Sequence, residues 1–295
     1  MKLLLPTDGS EYSEAAAQFL TRLNVSPNDA ITLLHVISDD PFQDNDDYYY
    51  AKIKEIKQGI APKILESAMN ILKSVPAKMN TLMMNGSPDK CIIEAATASD
   101  ADLIVMGHKR LKGIKSRIIG SVARSVSISS PKPVLVIKPP QGGSSSTMKI
   151  LFATDGSDYA KKAGETLTMM PFHDTAEITI LNVITPAFHD IPDKYMTTIE
   201  GSVKEDLKKY RPEDSQAIIA QTAEYLRKRF SHIDEITKKG DPSDEILHAA
   251  NVLNADMIVV GSKGMGGFRG IIGSLSRYIL SVAECSVLIG KTEGV

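Results

Sequence analysis

The sequence predicts an α/β protein built from two tandem, open, twisted parallel sheets of five strands each, with helices on both faces. The chain has 295 residues, more than the roughly 100 to 200 residues of a typical single domain. A series of motifs occurs twice along it, and in each copy short apolar runs alternate with longer segments of helical period. These observations indicate that one domain has been duplicated.

Four blocks recur in the same order. Residues 2–10 return as 149–157 and residues 31–37 as 178–184, both at an offset of 147 (155 − 8); residues 101–107 return as 255–261 and Gly120-Ser121 as Gly273-Ser274. The motif Thr-Asp-Gly-Ser is identical in the two copies. The later offsets, 154 (261 − 107) and 153 (273 − 120), show that the second copy gained residues before the third block and lost one in its glycine-rich loop.

A stretch rich in Pro, Gly and Ser separates the copies at residues 139–146. It offers no apolar face to bury, which is typical of an exposed linker. We therefore predict a first domain at 1–139, a linker at 140–147 and a second domain at 148–295.

The apolar runs of the first copy predict strands at 3–5, 31–37, 78–83, 103–106 and 134–137. Helices are expected at 11–23, after Asp8-Gly9-Ser10, and at 89–98, where Pro88 suits the first helical turn. Strands that alternate with helices imply a parallel sheet with right-handed crossovers, and ligands of such sheets bind beyond the carboxyl ends of the strands.

That rule selects the residues at those strand ends. Asp8 and Asp155 follow the first strand of each copy, Val36 and Val183 end the second, and the loops that begin at Gly107 and Gly261 follow the fourth. We expect these positions to converge within each copy. His35, next to Val36, is interpreted as a hydrogen-bonding residue, because no nucleophile accompanies it in both copies; no catalytic residue and no metal ligand are predicted.

The second glycine-rich loop runs from Gly261 to Ser274 and leads into a helical pattern at 275–283. Glycines let the backbone approach an anion closely, and the amides of the helix start, with the Ser274 hydroxyl, can donate to phosphate oxygens. Lys263 and Arg269 could add charge. The alternative is a flexible surface loop without a ligand.

This loop is neither a Gly-x4-Gly-Lys-Ser/Thr phosphate loop nor a Gly-x-Gly-x2-Gly dinucleotide turn. It resembles the Gly-x2-Gly-x9-Gly-Ser/Thr pattern of the ATP-binding members of the universal stress protein family, and the likeness spans nearly the whole chain. The Thr-Asp-Gly-Ser strand ends, the Gly-x-Pro turns at Gly86 and Gly240 and the paired Gly-Ser motifs support it. The resemblance implies a Rossmann-like fold of the adenine-nucleotide alpha-hydrolase type.

The resemblance also implies a set of nucleotide-binding residues in each copy. Asp155 would hold the ribose, the backbone of Val183 would meet adenine, and the glycine-rich loop would hold phosphates. The second-copy set is Thr154, Asp155, Val183, Gly261, Lys263, Gly264, Gly273 and Ser274, and the first-copy set is Asp8, Val36, Gly107, Gly120 and Ser121. The expected cofactor is ATP, with Mg²⁺ left open. Asp8 and Asp155 also have a simpler interpretation, as turn and helix-capping residues.

Each copy departs from the family pattern at one point. The first keeps the nine-residue spacer but has Arg110 in place of the second glycine, within a basic loop at 108–117; the second keeps Gly264 but has an eight-residue spacer. Because Arg110 could obstruct the phosphate path, we favour the second copy. Residues 39–50, rich in Asp and Tyr, are interpreted either as a lid or as a solvated acidic connector.

Composition narrows the class of protein. The net charge of −2 argues against nucleic acid as the main partner, and neither an apolar run of 18 residues nor a leader pattern is present. We therefore expect a soluble, cytoplasmic protein without a membrane partner. Cys91 and Cys285 are expected to be small buried residues and to form neither a disulfide nor a metal site.

We expect ATP binding in a regulatory or stress-response role. Slow ATP hydrolysis and an interaction module without nucleotide are the alternatives. In the resembling family, domains pair through their last strands, which here would place 133–138 beside 286–291 and make one chain a pseudo-dimer. A homodimer of two chains is left open, and no regulatory protein partner is identified.

Overall fold

The computed structural model describes residues 1–38, 48–108, 119–139, 147–185, 212–264 and 272–292. Residues 39–47 of the predicted lid or connector, the loop 109–118 with Arg110, and residues 140–146 of the linker lie outside the described residues. The elements below belong to the described part of the chain.

The two copies repeat the same order of elements. The first copy contains β1 (Lys2–Pro6), α1 (Glu11–Leu20), β2 (Ala30–Ile37), α2 (Tyr48–Ile71), β3 (Lys78–Asn85), α3 (Pro88–Ala98), β4 (Leu103–Gly107), α4 (Ser121–Ser129) and β5 (Val134–Ile137). The second contains β6 (Lys149–Ala153), α5 (Asp158–Met169), β7 (Glu177–Ile184), α6 (Pro212–Leu226), β8 (His232–Lys239), α7 (Pro242–Leu253), β9 (Met257–Gly261), α8 (Ser274–Val282) and β10 (Ser286–Gly290). The predicted α/β class is confirmed.

The strands form one continuous sheet in the order β3-β2-β1-β4-β5-β10-β9-β6-β7-β8. Pairing is parallel within each copy, and the copies join where β5 and β10 run antiparallel, with Leu135 opposite Leu288. The predicted side-by-side placement of the last strands is therefore confirmed, and the two five-stranded sheets merge into a single ten-stranded one.

The core lies on both faces of this sheet. One cluster of buried residues lies between the strands and helices α1, α2, α5 and α6. A second cluster lies on the opposite face, between the strands and helices α3, α4, α7 and α8. Each cluster contains residues of both copies: Leu135 and Leu288 belong to the first cluster, and Val136 and Val287 to the second. The apolar core is therefore shared across the β5–β10 junction.

Short polar residues set the helix starts. Ser10 and Ser157 cap α1 and α5 by accepting from the amides of Ser13 and Ala160, at 3.4 Å and 3.3 Å. α1 ends at Leu20, three residues before the predicted end at Leu23. The hydroxyl of Thr21 donates to the carbonyl of Gln18 at 2.7 Å and closes the last turn.

The free cysteines agree in part with expectation. Cys91 is buried in α3, and Cys285 is partly exposed just before β10. Burial raises the pKa of the Cys285 thiol to about 11. No cluster of possible metal ligands occurs among the described residues. Within the same ranges, no helix combines the length and apolar character needed to cross a bilayer.

Candidate functional site

Each copy has a topological switch point, where the chain leaves the first strand in one direction and later returns on its other side. In the first copy this point lies between β1 and β4, and in the second between β6 and β9. Open parallel sheets bind ligands at such points because the two outgoing loops diverge and leave a crevice. Asp8 and Gly107 flank the first crevice, and Asp155 and Gly261 flank the second.

A cavity of about 310 Å³ occupies the first crevice. All five residues assigned to the first-copy site line it: Asp8, Val36, Gly107, Gly120 and Ser121. Its apolar walls come from Leu34, Pro88, Ile92 and Met106, and its polar rim includes Ser10, Tyr12 and Ser38. Apolar walls with a few polar groups are typical of small-molecule sites, and the volume falls at the small end of their range.

The turn after the first strand fixes the carboxylate of Asp8. Its Oδ1 accepts from the Ser10 amide at 3.0 Å and from the Ser10 hydroxyl at 2.5 Å, while Gly9 takes the left-handed conformation with φ of 74°. Burial alone would raise the pKa of Asp8, but the hydrogen bonds from Ser10 and Ser13 outweigh it and hold the pKa below its ordinary value. Asp8 is therefore an anionic acceptor at neutral pH.

The second copy repeats this turn. Asp155 Oδ1 accepts from the amide and the hydroxyl of Ser157 at 3.0 Å and 2.6 Å, and Gly156 has φ of 78°. Asp155 Oδ2 lies 3.0 Å from the position that a Cβ on Gly264 would occupy. The carboxylate and the glycine-rich loop therefore approach each other directly, as predicted from the strand ends.

Two hydrogen bonds join the start of the second glycine-rich loop to its end and to the helix that follows it. The amide of Gly273 donates to the Ser262 carbonyl at 2.7 Å, and the Ser276 hydroxyl donates to the Gly261 carbonyl at 2.6 Å. Lys263 places its Nζ 5.2 Å from the centre of the Tyr159 ring. Residues 265–271 of the loop lie outside the described residues, so the preference for the second copy stays a prediction.

Helices α4 and α8 begin without a side-chain cap. Their N-cap residues are Gly120 and Gly273, and no side-chain cap hydrogen bond is found at either helix start among the described residues. By contrast, serines cap α1 and α5 at the other side of the same crevices. Uncapped first-turn amides at the positive end of a helix are suited to binding an anion.

Two of the assigned glycines have a packing reason that sequence reasoning missed. A Cβ on Gly107 would lie 2.0 Å from the Tyr12 carbonyl oxygen, and one on Gly261 would lie 2.8 Å from the Ala160 amide nitrogen. Helices α1 and α5 approach β4 and β9 too closely for any side chain there. These glycines are therefore required by helix packing, whatever else they contact.

Some lining residues were not identified from the sequence. Tyr12 lines the first cavity, and its equivalent Tyr159 lies beneath Lys263; their shared offset of 147 residues was a signal that could have found them. Pro88, Ile92 and Met106 carried no such signal, because apolar residues on core-facing elements do not distinguish a ligand wall from ordinary packing.

The strand-end polar residues act as predicted. His35 Nδ1 lies 2.8 Å from the Thr7 carbonyl oxygen, and Asn182 Nδ2 donates to the Thr154 carbonyl at 2.7 Å. Both hold the first strand's end against the second strand. Thr154 is buried and its Oγ1 accepts from the Gly156 amide, while Val183 is partly buried near the end of β7.

Comparison with known proteins agrees with this architecture. The universal stress protein family matches residues 1–138 and again 147–291. A universal stress protein of Methanocaldococcus jannaschii is 30% identical over 141 residues, which cover 48% of this chain and 83% of that protein. A universal stress protein of Mycolicibacterium smegmatis is 24% identical over 297 residues, which cover 97% of this chain and 96% of that protein.

Solved structures share the two-copy fold. The crystal structure of a universal stress protein from Archaeoglobus fulgidus superposes with a TM-score of 0.71 at 22% identity, covering 99% of this chain and 98% of that one. A putative universal stress protein from Pseudomonas aeruginosa gives a TM-score of 0.57 at 18% identity, covering 99% and 93%. At these identities the likeness shows the fold.

Proposed function

The chain belongs to the universal stress protein family, as a tandem member, and on that premise we propose that it binds ATP in a regulatory, stress-response role. The observation that carries the proposal is the first-copy cavity. It gathers the five residues assigned to that site and lies beside the uncapped start of α4.

The chemistry of the cavity suits a nucleoside with its phosphates directed toward α4. The apolar walls from Val36, Ile92 and Met106 fit the faces of a base. The anionic carboxylate of Asp8 suits hydroxyl donors such as those of a ribose and would repel a phosphate. Phosphate oxygens are better served by the amides that begin at Gly120 and Ser121.

The second copy supports the same assignment by equivalence. Asp155 takes the ribose position, Gly261 begins the glycine-rich loop, and Gly264 lies beside Asp155 without a side chain. Gly273 with Ser274 starts the uncapped helix α8. Lys263, held over Tyr159, supplies a cation near the phosphates. Thr154 and Val183 complete the site in this proposal. We therefore propose two nucleotide sites per chain.

The first cavity offers little for catalysis. Its titratable lining residues, among those described, are Asp8 and Tyr12, and Asp8 Oδ1 is engaged by Ser10. We therefore propose binding without rapid turnover. Phosphate release from Mg-ATP above a protein-free blank would favour the slow ATPase over this proposal.

The experiment is calorimetric titration of Mg-ATP into nucleotide-stripped protein. We expect a dissociation constant in the micromolar range, which corresponds to a binding free energy of about −8 kcal/mol. Asp8→Ala and Asp155→Ala should each remove one class of site, and the double variant should remove both. Asp234→Ala, on the exposed face of the edge strand β8, is the matched control and should bind as the unaltered chain does. Absence of heat from the unaltered chain would refute ATP binding and favour the interaction module.

A further inference from the structure

Two buried lysines occupy equivalent positions at the junction of the copies. Lys138 follows β5 and Lys291 follows β10, and the offset of 153 residues that relates Gly120 to Gly273 relates them too. Each is less than a tenth exposed, at 8% and 9%. Fully buried lysines are rare because desolvating an ammonium group is costly, so each needs a specific set of acceptors.

Each lysine finds its acceptors in the other copy. Lys138 Nζ donates to the carbonyl oxygens of Leu280, at 3.0 Å, and Ala283, at 2.5 Å, at the end of α8. Lys291 Nζ donates to those of Ser127, at 2.7 Å, and Ile128, at 3.3 Å, at the end of α4. Ser127 and Leu280 are themselves equivalent residues of the repeat. The contacts are therefore reciprocal.

The acceptors are carbonyls that a helix cannot satisfy by itself. The last four carbonyls of an α-helix have no intrahelical partner, and they form the negative end of its dipole. An ammonium group placed there satisfies them and stabilises the helix end. Lys138 and Lys291 thus fix the carboxyl ends of α8 and α4, respectively.

The same two helices start at the proposed phosphate sites. α4 begins at Gly120-Ser121 and α8 at Gly273-Ser274, and each has nine residues. A helix this short, about 13 Å long, behaves as a rigid rod, so holding one end limits where the other can lie. Phosphate binding by first-turn amides depends strongly on their placement, since errors of about 1 Å are costly in preorganised sites.

The strand that carries each lysine also contacts the lysine's own glycine-rich loop. The His108 amide donates to the Ile137 carbonyl at 2.9 Å, and the Ser262 amide donates to the Gly290 carbonyl at 2.9 Å. Each lysine therefore lies one residue beyond a strand position that anchors its own copy's loop. It connects that loop to the helix of the other copy that begins at the proposed phosphate site, which is α8 for Lys138 and α4 for Lys291.

We propose that Lys138 and Lys291 are positioning residues that act across the junction: Lys291 orients α4 for the first nucleotide site, and Lys138 orients α8 for the second. The proposal rests on the proposed function, since it assigns what these lysines do for ATP binding. Each site is then completed by a residue of the other copy, which gives the pseudo-dimer a role in binding.

Variants that keep only one ATP site separate the effect of Lys138 from that of Lys291. Asp155→Ala leaves the first site to be titrated with Mg-ATP, and Asp8→Ala leaves the second. In the first-site background, Lys291→Met should weaken ATP binding on the order of tenfold, a typical coupling, while Lys138→Met should change it less than twofold. In the second-site background the two lysines should exchange roles. Arg at either position keeps the cation and should restore most of the affinity.

Folding is monitored separately by thermal melting and by hydrogen exchange without nucleotide. Lys291→Met should raise exchange in peptides covering 119–129 more than in those covering 272–282, and Lys138→Met should do the reverse. If a Met variant fails to fold, Lys→Gln, which keeps N–H donors without the charge, takes its place with the same crossed prediction.

The outcomes distinguish the two proposals. Equal weakening of both sites by either lysine, or unchanged affinity at both, would overturn the crossed positioning role while leaving ATP binding intact. No binding by the unaltered chain would overturn the proposed function and this inference with it.

Discussion

Lys291 of the second copy donates from Nζ to the carbonyl oxygen of Ser127 in the first copy, across 2.7 Å. The bond joins the last strand of one domain to the end of a helix whose other end starts the proposed phosphate site. The equivalent bond, from Lys138 Nζ of the first copy to the carbonyl oxygen of Leu280 in the second, joins the end of β5 to the end of α8. The junction therefore joins the two domains through directed polar contacts as well as through apolar burial.

The first prediction concerns pH and Lys291. Burial, with a smaller contribution from Lys263, lowers the pKa of Lys291 to about 8. Its ammonium form is thus present at pH 7 and largely lost by pH 9. We expect the first site, titrated in an Asp155→Ala background, to bind ATP more weakly at pH 9 than at pH 7. With Lys291→Gln added, that difference should shrink.

Deprotonation of Lys291 does not itself destabilise the folded chain. The pKa of Lys291 in the folded chain lies below the ordinary 10.5, so between about pH 8 and 10.5 the unfolded chain holds more protons. The contribution of this lysine to the free energy of unfolding therefore becomes more positive, and stabilises the folded chain more, as pH rises over that interval. Affinity that falls together with the free energy of unfolding would contradict the account.

The second prediction concerns the space beside Asp155. A Cβ on Gly264 would lie 3.0 Å from Asp155 Oδ2, in the gap that the nucleotide is proposed to share. Gly264→Val should weaken ATP binding at the second site on the order of tenfold or more, because the branched side chain would fill that gap. Gly59→Ala is the matched control: a Cβ there meets nothing within 4 Å, and affinity should stay unchanged.

The third prediction concerns the packing of α1 against Gly107. Gly107→Ala would place a Cβ 2.0 Å from the Tyr12 carbonyl oxygen, so α1 would have to move from β4. We expect the free energy of unfolding in urea to fall by about 3 kcal/mol, the upper range for overpacking. Gly59→Ala, in an exposed part of helix α2, should instead raise it by about 0.5 to 1 kcal/mol. Equal stability of the two variants would contradict the close approach of α1 to β4.

The fourth prediction concerns the hydroxyl of Tyr225. It is buried between α5 and α6, has no hydrogen-bond partner among the described residues, and lies 2.0 Å from where a Cβ on Gly164 would be. Burial, followed by the nearby charge of Glu165, raises the pKa of Tyr225. Because an unpaired buried hydroxyl costs about 1 to 3 kcal/mol, Tyr225→Phe should be neutral or stabilising.

A double variant checks this contact. Gly164→Ala alone should destabilise the chain, and part of that loss should be relieved when Tyr225→Phe removes the hydroxyl that the new methyl would meet. Additive effects of the two substitutions on the free energy of unfolding would show that the two groups do not touch.

Most of the fold could be predicted because apolar runs mark buried strands. All five predicted strands of the first copy match β1 to β5, although β3 extends to Asn85. β3 lies at the sheet edge and is largely exposed, so its end carries little apolar signal. The pairing of β5 with β10 was predicted from family resemblance alone, and its antiparallel direction was not predicted. Parallel and antiparallel partners bury the same kinds of residue, so the apolar pattern does not distinguish them.

In the first copy, the strand ends predicted three positions of the candidate site, and the family resemblance added Gly120 and Ser121; their role in binding nucleotide stays a prediction. Asp8, Val36, Gly107, Gly120 and Ser121 line one cavity. Lys138 and Lys291 were not identified, because their acceptors are backbone carbonyls of the other copy, and backbone acceptors leave no mark in a sequence. The same holds for the packing role of Gly107, which depends on how closely α1 approaches.

We propose that ATP occupies the crevice between β1 and β4, and hydrogen exchange with and without Mg-ATP shows whether it does. We expect ATP to slow exchange in peptides that cover 7–10, 34–38 and 119–123, and we expect Asp8→Ala to abolish this protection. Calorimetric binding of ATP without slower exchange in those segments, or protection that persists in Asp8→Ala, would contradict it.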